Sequence, residues 1–79
     1  MTYFIVVYKS TFDAMEAERI LNEKGYDFKI MPTPTSITQS CGICTRFVSE
    51  DDISSIIESN IIEYKNIFKK EENGFILIK

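Results

Sequence analysis

The apolar positions of this 79-residue chain change their spacing several times, and each change marks a new predicted element. Every residue from Tyr3 to Tyr8 is aromatic or β-branched, and no charged residue interrupts the run. This pattern predicts a strand buried on both faces. A helix is predicted from Thr11 to Lys24, where small and aliphatic residues recur at helical spacing. Ser10 is the expected N-cap and Gly25 the expected end of this helix.

The second half of the chain carries the signals of a second helix and of further strands. Ser49 is the expected N-cap of a second helix, whose buried face includes Ile53, Ile56 and Ile57. The Asn73-Gly74 pair is a strong hairpin signal between the last two strands. Further strands are predicted at Asp27–Met31, Gly42–Val48, Tyr64–Lys70 and Phe75–Ile78.

The order of these elements predicts the fold class. A β-α-β-β-α-β order with a doubled last strand indicates one α+β domain over residues 1–79, a ferredoxin-like sandwich with a C-terminal hairpin extension. Its antiparallel sheet would carry both helices on one face. Because the first strand is apolar on both sides, we expect a homodimer to bury the other face, unless a loop or the hairpin covers it.

Composition excludes several classes of function. The chain has 9 basic and 12 acidic residues and a net charge of −3, which disfavours nucleic acid and anionic membranes as partners. It has no histidine, so no Cys-His or Ser-His pair forms within it. No apolar run approaches the roughly 18 residues of a membrane span, and the start lacks the basic residues of a signal peptide. We therefore expect a cytoplasmic protein, a carrier or binding protein rather than an enzyme.

The candidate chemistry lies at two cysteines. A loop rich in proline and hydroxyl groups, residues 32–40, leads directly into Cys41, and Cys44 follows three positions later. A redox disulfide is disfavoured because residues three apart in a strand are about 10 Å apart, beyond the roughly 7 Å that a disulfide tolerates. A zinc site would need ligands from a second subunit. The remaining alternatives are one working thiol at Cys41 and two inert, buried cysteines.

Neighbouring residues allow two interpretations each. Gly42 would leave room and free backbone amides beside a thiolate at Cys41, with Cys44 as a packing residue in the strand. Arg46 would bind an anion near Cys41, or would simply be exposed. The acidic run Glu50 to Asp52 favours the first turn of a helix over a metal site. The sequence predicts neither a metal nor a cofactor.

One part of the chain resembles a known family, the small bacterial domains called selenium/sulfur carrier protein-like. The resemblance covers about residues 3–68, and Pro32-x-Pro34 followed by Ser40-Cys41-Gly42 is its most specific part. Cys44 departs from the family pattern, and the hairpin tail of about residues 64–79 extends beyond it. The other matching residues are Tyr3 to Tyr8, Ser10, Ala14, Ala17, Leu21, Gly25, Ile37, Arg46 and Phe47.

The resemblance implies a function. A member of this family would hold sulfur or selenium on Cys41 as a persulfide or selenosulfide, with Ser40, Gly42, Cys44 and Arg46 as accessory residues. Its partners would be the proteins that donate and accept the sulfur or selenium. The alternative is a dimeric interaction module without catalysis, in which the cysteines are inert.

Overall fold

The computed structural model of the chain describes residues 2–37 and 42–79 as an α+β fold. Five strands form one sheet in the order β2-β3-β1-β4-β5, and all neighbouring strands are antiparallel. In chain order the elements are β1 (Tyr3–Val7), α1 (Thr11–Lys24), β2 (Lys29–Pro32), β3 (Ile43–Phe47), α2 (Glu50–Ser59), β4 (Asn66–Glu71) and β5 (Gly74–Leu77).

The sheet order separates each pair of strands that a helix connects. β3 lies between β1 and β2, which α1 connects, and β1 lies between β3 and β4, which α2 connects. Both helices pack against the same face of the sheet. The predicted α+β class, the antiparallel sheet and the two helices are therefore confirmed, and β5 adds an edge strand to the first four.

The bounds of α1 agree with the sequence prediction because both of its ends carry local signals. The Ser10 hydroxyl accepts a hydrogen bond from the amide of Asp13 at 3.1 Å, which satisfies one of the donors left free in the first turn. Gly25 adopts a left-handed φ of 80°, and its amide donates to the carbonyl of Asn22 at 3.2 Å. Such a φ strains any residue with a β-carbon.

The start of α2 also follows its predicted signal. The Ser49 hydroxyl accepts from the amide of Asp52 at 3.2 Å, so the acidic run from Glu50 to Asp52 forms the first turn. Negative charge there interacts favourably with the helix dipole. The interpretation of this run as a helix start is confirmed.

The strands differ from the prediction mainly at their ends. β2 begins at Lys29 and extends through Pro32, which an edge strand tolerates because its outer amides have no partner strand. In the last hairpin, Glu71 pairs with Gly74, so the two turn residues are Glu72 and Asn73. Gly74 opens β5 with a φ of 134°, which explains the need for glycine there.

The face of the sheet under the helices holds the larger core, which we call the helix face. Phe47 lies in it, with its ring stacked on Phe28 at 6.0 Å between centroids and edge-on to Tyr26 at 6.5 Å. Tyr8 and Thr45 bring polar groups into this core and share a hydrogen bond of 2.8 Å between their hydroxyls. Its buried members are Phe4, Val6, Tyr8, Ala14, Ala17, Leu21, Phe47, Ile53, Ile56, Ile62 and Ile67.

The opposite face of the sheet, which we call the open face, is covered by the chain itself. Ile5 and Val7 of β1 are 0% exposed there and pack with Ile37, which follows β2. Phe75 of β5 also packs against this cluster. The apolar side of β1 was expected to be covered either by a second subunit or by the chain's own loop and hairpin. Ile37 and Phe75 provide this cover, so the argument for a dimer from an exposed β1 face no longer applies. The homodimer stays a prediction.

Candidate functional site

The two chain segments that flank the predicted working thiol meet at one end of the sheet. Pro32 pairs with Ile43 across β2 and β3, and the amide of Thr33 donates to the carbonyl of Gly42 at 3.1 Å. Residues 33 and 42 are therefore neighbours although nine positions separate them. Cys41, which directly precedes Gly42, lies outside the described residues, and so does Ser40.

Gly42 is exposed and is not required by its surroundings. No heavy atom of residues 2–37 or 43–79 outside its chain neighbours lies within 4 Å of the position that a β-carbon would take, and its φ is outside the left-handed range. The predicted absence of bulk beside Cys41 therefore has no packing reason among the described residues. An alanine at this position is expected to leave the fold intact, which makes Gly42→Ala a clean probe of the thiol's surroundings.

Cys44 lies inside β3, is not part of a disulfide, and is 0% exposed. Its Sγ is 3.9 Å from the carbonyl oxygen of Pro32, a weak sulfur hydrogen bond at most. Its side chain belongs to the open-face cluster with Ile5, Val7 and Ile37. A sulfur atom so enclosed has no access for a protein-bound donor, which agrees with the expected packing role.

Arg46 lies two residues beyond Cys44, on the same face of β3. Its guanidinium carbon is 4.6 Å from the centre of the Tyr3 ring, a cation–π contact. Tyr3 begins β1, whereas Val7 at the other end of β1 pairs with Cys44. The structure thus directs Arg46 toward Tyr3 and away from the end of the sheet where Gly42 lies.

A groove on the open face was not foreseen from the sequence. It has a volume of about 490 Å³ and runs along β4, between the residues after β2 and the tip of the last hairpin. No single stretch of sequence indicates it, because its walls come from parts of the chain more than thirty residues apart. Its lining residues are Ser36, Ile37, Lys65, Asn66, Phe68, Asn73, Gly74 and Phe75.

Arg19 of α1 is held between two glutamates of the same helix. Hydrogen bonds from Arg19 to Glu16 and to Glu23 raise the pKa of its guanidinium above the usual value, on the solvent side of α1.

Within residues 2–37 and 42–79, no three cysteine or acidic side chains come close enough to bind a metal. In the same ranges, neither helix has the length and apolar character needed to cross a membrane.

Comparison with known proteins adds a family. The family model described as "Putative Se/S carrier protein-like" matches residues 3–69, so the match includes both cysteines and ends within β4. The uncharacterized protein MJ0011 of Methanocaldococcus jannaschii is 30% identical over 91 aligned residues, covering 95% of this chain and 46% of the relative. The chain thus spans less than half the length of that relative. No solved structure matches it significantly.

Proposed function

The chain belongs to the Se/S carrier protein-like family, and on that premise we propose that Cys41 carries sulfur or selenium as a persulfide or selenosulfide. The observation that supports Cys41 is the complete burial of the other thiol, since Cys44 is 0% exposed. A carrier needs a thiolate that a donor can reach. With two cysteines in the chain, the transferred atom is therefore assigned to Cys41.

The proposed transfer requires one nucleophile and no general base. The Cys41 thiolate attacks the outer sulfur of a donor persulfide, forming a new S–S bond while the donor's S–S bond breaks and its thiolate leaves. An acceptor thiolate then attacks the carried sulfur and releases Cys41 as a thiolate. Atoms and electrons balance without an added oxidant, and selenium follows the same steps. A chain without histidine is suited to such chemistry.

The surroundings of the proposed thiol come from the end of the β2–β3 pair. Ser40 and the Gly42 amide are proposed to stabilise the thiolate. Arg46 has no proposed contact with the thiolate because its guanidinium lies on the Tyr3 ring.

The cytoplasm is the proposed location of the protein, since thiols are kept reduced there. For β1 to β4 we retain the ferredoxin-like arrangement as a proposal, because each helix connects strands separated by one other strand.

The test is sulfur loading followed by intact mass spectrometry. The protein is incubated with a cysteine desulfurase and free cysteine, without reductant, and the gain of one sulfur atom is measured. Wild type and Cys44→Ala are expected to load, and Cys41→Ala is not. Gly42→Ala is expected to leave the fold intact and adds a methyl group next to Cys41, so its loading rate reports whether bulk beside the thiol slows the transfer. Loading on Cys44, or no loading while a known carrier loads in the same mixture, contradicts the proposal.

A dimeric interaction module is the second candidate, and the edge strand β5 favours it. Ile76 is 54% and Leu77 is 59% exposed at this edge, whereas the other edge, β2, carries Lys29 and Pro32, which discourage pairing. Light scattering at micromolar concentration tests it, with Leu77→Lys as the variant expected to dissociate a dimer. A strictly monomeric wild type contradicts this candidate.

A further inference from the structure

Charge is divided unequally between the two layers of the molecule. The helix layer holds most of the negative charge, whereas three cations lie on the open face at Lys29, Arg46 and Lys70. Pairing across the strands places them there, since Lys29 is opposite Arg46, Arg46 opposite Ile5, and Lys70 opposite Tyr3. The helices contain eight of the twelve carboxylates, namely Asp13, Glu16, Glu18, Glu23, Glu50, Asp51, Asp52 and Glu58.

In the part of the chain that the structure describes, no strand residue on the open face carries a carboxylate. Glu71 is the one acidic residue within these described strands, and it shares the other face with Lys69, to which it forms an ion pair of 3.2 Å. Glu72 lies in the turn beyond it. A protein of net charge −3 thus presents a positive strand surface on the side away from its helices.

The groove along β4 includes Lys65 in its lining and has Lys70 beside it, whereas Arg46 and Lys29 lie two and three strands away from β4. Ile37, Phe68 and Phe75 make its apolar parts, and none of the described residues that line it is acidic. The ammonium nitrogen of Lys70 is 5.3 Å from the centre of the Phe75 ring, and Phe75 in turn meets Tyr3 edge-on at 6.3 Å. The groove therefore combines apolar side chains with uncharged polar ones, and its positive charge comes from Lys65 in the lining and Lys70 beside it.

We propose that this groove docks an extended acidic segment of the protein that donates or accepts the carried sulfur. The proposal rests on the carrier function for the identity of the partner and on charge complementarity for the surface. An acidic partner is repelled by the helix layer and attracted to the open face. The groove includes Ile37, so a partner bound there contacts a residue only four positions before Cys41 in the chain.

The arrangement of the aromatic rings favours a peptide over single-stranded nucleic acid. Bases bind such sheets by stacking on free aromatic faces. Here Arg46 covers the Tyr3 ring and Lys70 covers the Phe75 ring. These cations keep hydrogen-bond donors available to carboxylates while they occupy the stacking positions.

Binding of a labelled ten-residue peptide that alternates Glu with Val tests the proposal by fluorescence anisotropy. The double variant Lys65→Glu/Lys70→Glu reverses the cation in the groove lining and the one beside it, and it is expected to weaken binding by about fivefold or more; added salt should weaken binding to the wild type. Glu72→Lys, which adds charge beside the groove, is expected to strengthen binding. Lys70→Glu alone and Lys24→Glu on α1 make the same change of charge, the second away from the groove, and these two single variants are the matched pair.

The outcomes separate this proposal from the carrier function. The docking groove is overturned if the double variant binds the peptide with unchanged affinity, or if Lys24→Glu loses as much affinity as Lys70→Glu. It is also overturned if a single-stranded oligonucleotide binds more tightly than the peptide. Cys41→Ala should bind the peptide as wild type does, because docking does not use the thiol. If sulfur loading fails while these charge effects hold, the acidic docking surface stands and only its assignment to a sulfur partner falls.

Discussion

The two faces of the central sheet are covered in different ways. On the helix face, eleven buried residues come from strands, two helices and the segment after α2, and they form one continuous core. On the open face, the described residues include four buried ones, and one of these, Ile37, lies outside any helix or strand and packs with the other three as a cluster. The helix face is therefore expected to provide most of the free energy of unfolding, whereas the open face retains a groove and a positive surface.

The largest expected effect comes from removing an aromatic ring from the helix face. Phe47→Ala is expected to cost about 3–5 kcal/mol of unfolding free energy, because the ring is fully buried and a cavity remains. Phe68→Ala, the matched change on the open face, should cost clearly less, since Phe68 is only half-buried. Urea unfolding measures both. If Phe47→Ala does not fold, Phe47→Leu provides the smaller step, and equal costs on the two faces would refute the comparison.

An intermediate effect is expected from uncovering Cys44. Ile37→Ala should cost about 2 kcal/mol and should also speed alkylation of Cys44, because Ile37 packs with that thiol on the open face. Labelling is measured by mass spectrometry in a Cys41→Ala background, so that it reports on Cys44.

The control for this experiment is Ile62→Ala, which removes a similarly buried isoleucine from the helix face. It lowers global stability without removing the local cover of Cys44. Excess labelling in Ile37→Ala at matched stability therefore measures that cover. If the two variants label at the same rate, Ile37 does not protect the thiol.

The smallest expected effect concerns Arg46. Arg46→Ala should cost about 0.5–1 kcal/mol through the loss of its contact with Tyr3, and Arg46→Lys should restore part of this. The rate of sulfur loading on Cys41 should be unchanged in both. A slower loading rate with unaltered stability would instead assign Arg46 to the thiol, as one of the two interpretations of the sequence has it.

Much of the helix layer was predictable because its signals are local. Ser10 and Gly25 determine the ends of α1 through hydrogen bonds to residues at most four positions away, and Ser49 acts in the same way for α2. The position of Cys44 in a strand, and hence its burial, also followed from the alternation of the residues around it. The assignment to the carrier-like family rested on residues that the family model also spans.

The sequence by itself therefore determined the elements, the family and the choice of Cys41 as the thiol to test. Only the tertiary structure decided that Ile37 and Cys44 belong to one buried cluster, that Arg46 contacts Tyr3, and that a groove with a positive border lies along β4. The physical reason is the range of the interactions. Caps and strand alternation act within a few residues, whereas these contacts join residues that become neighbours only when the sheet has formed.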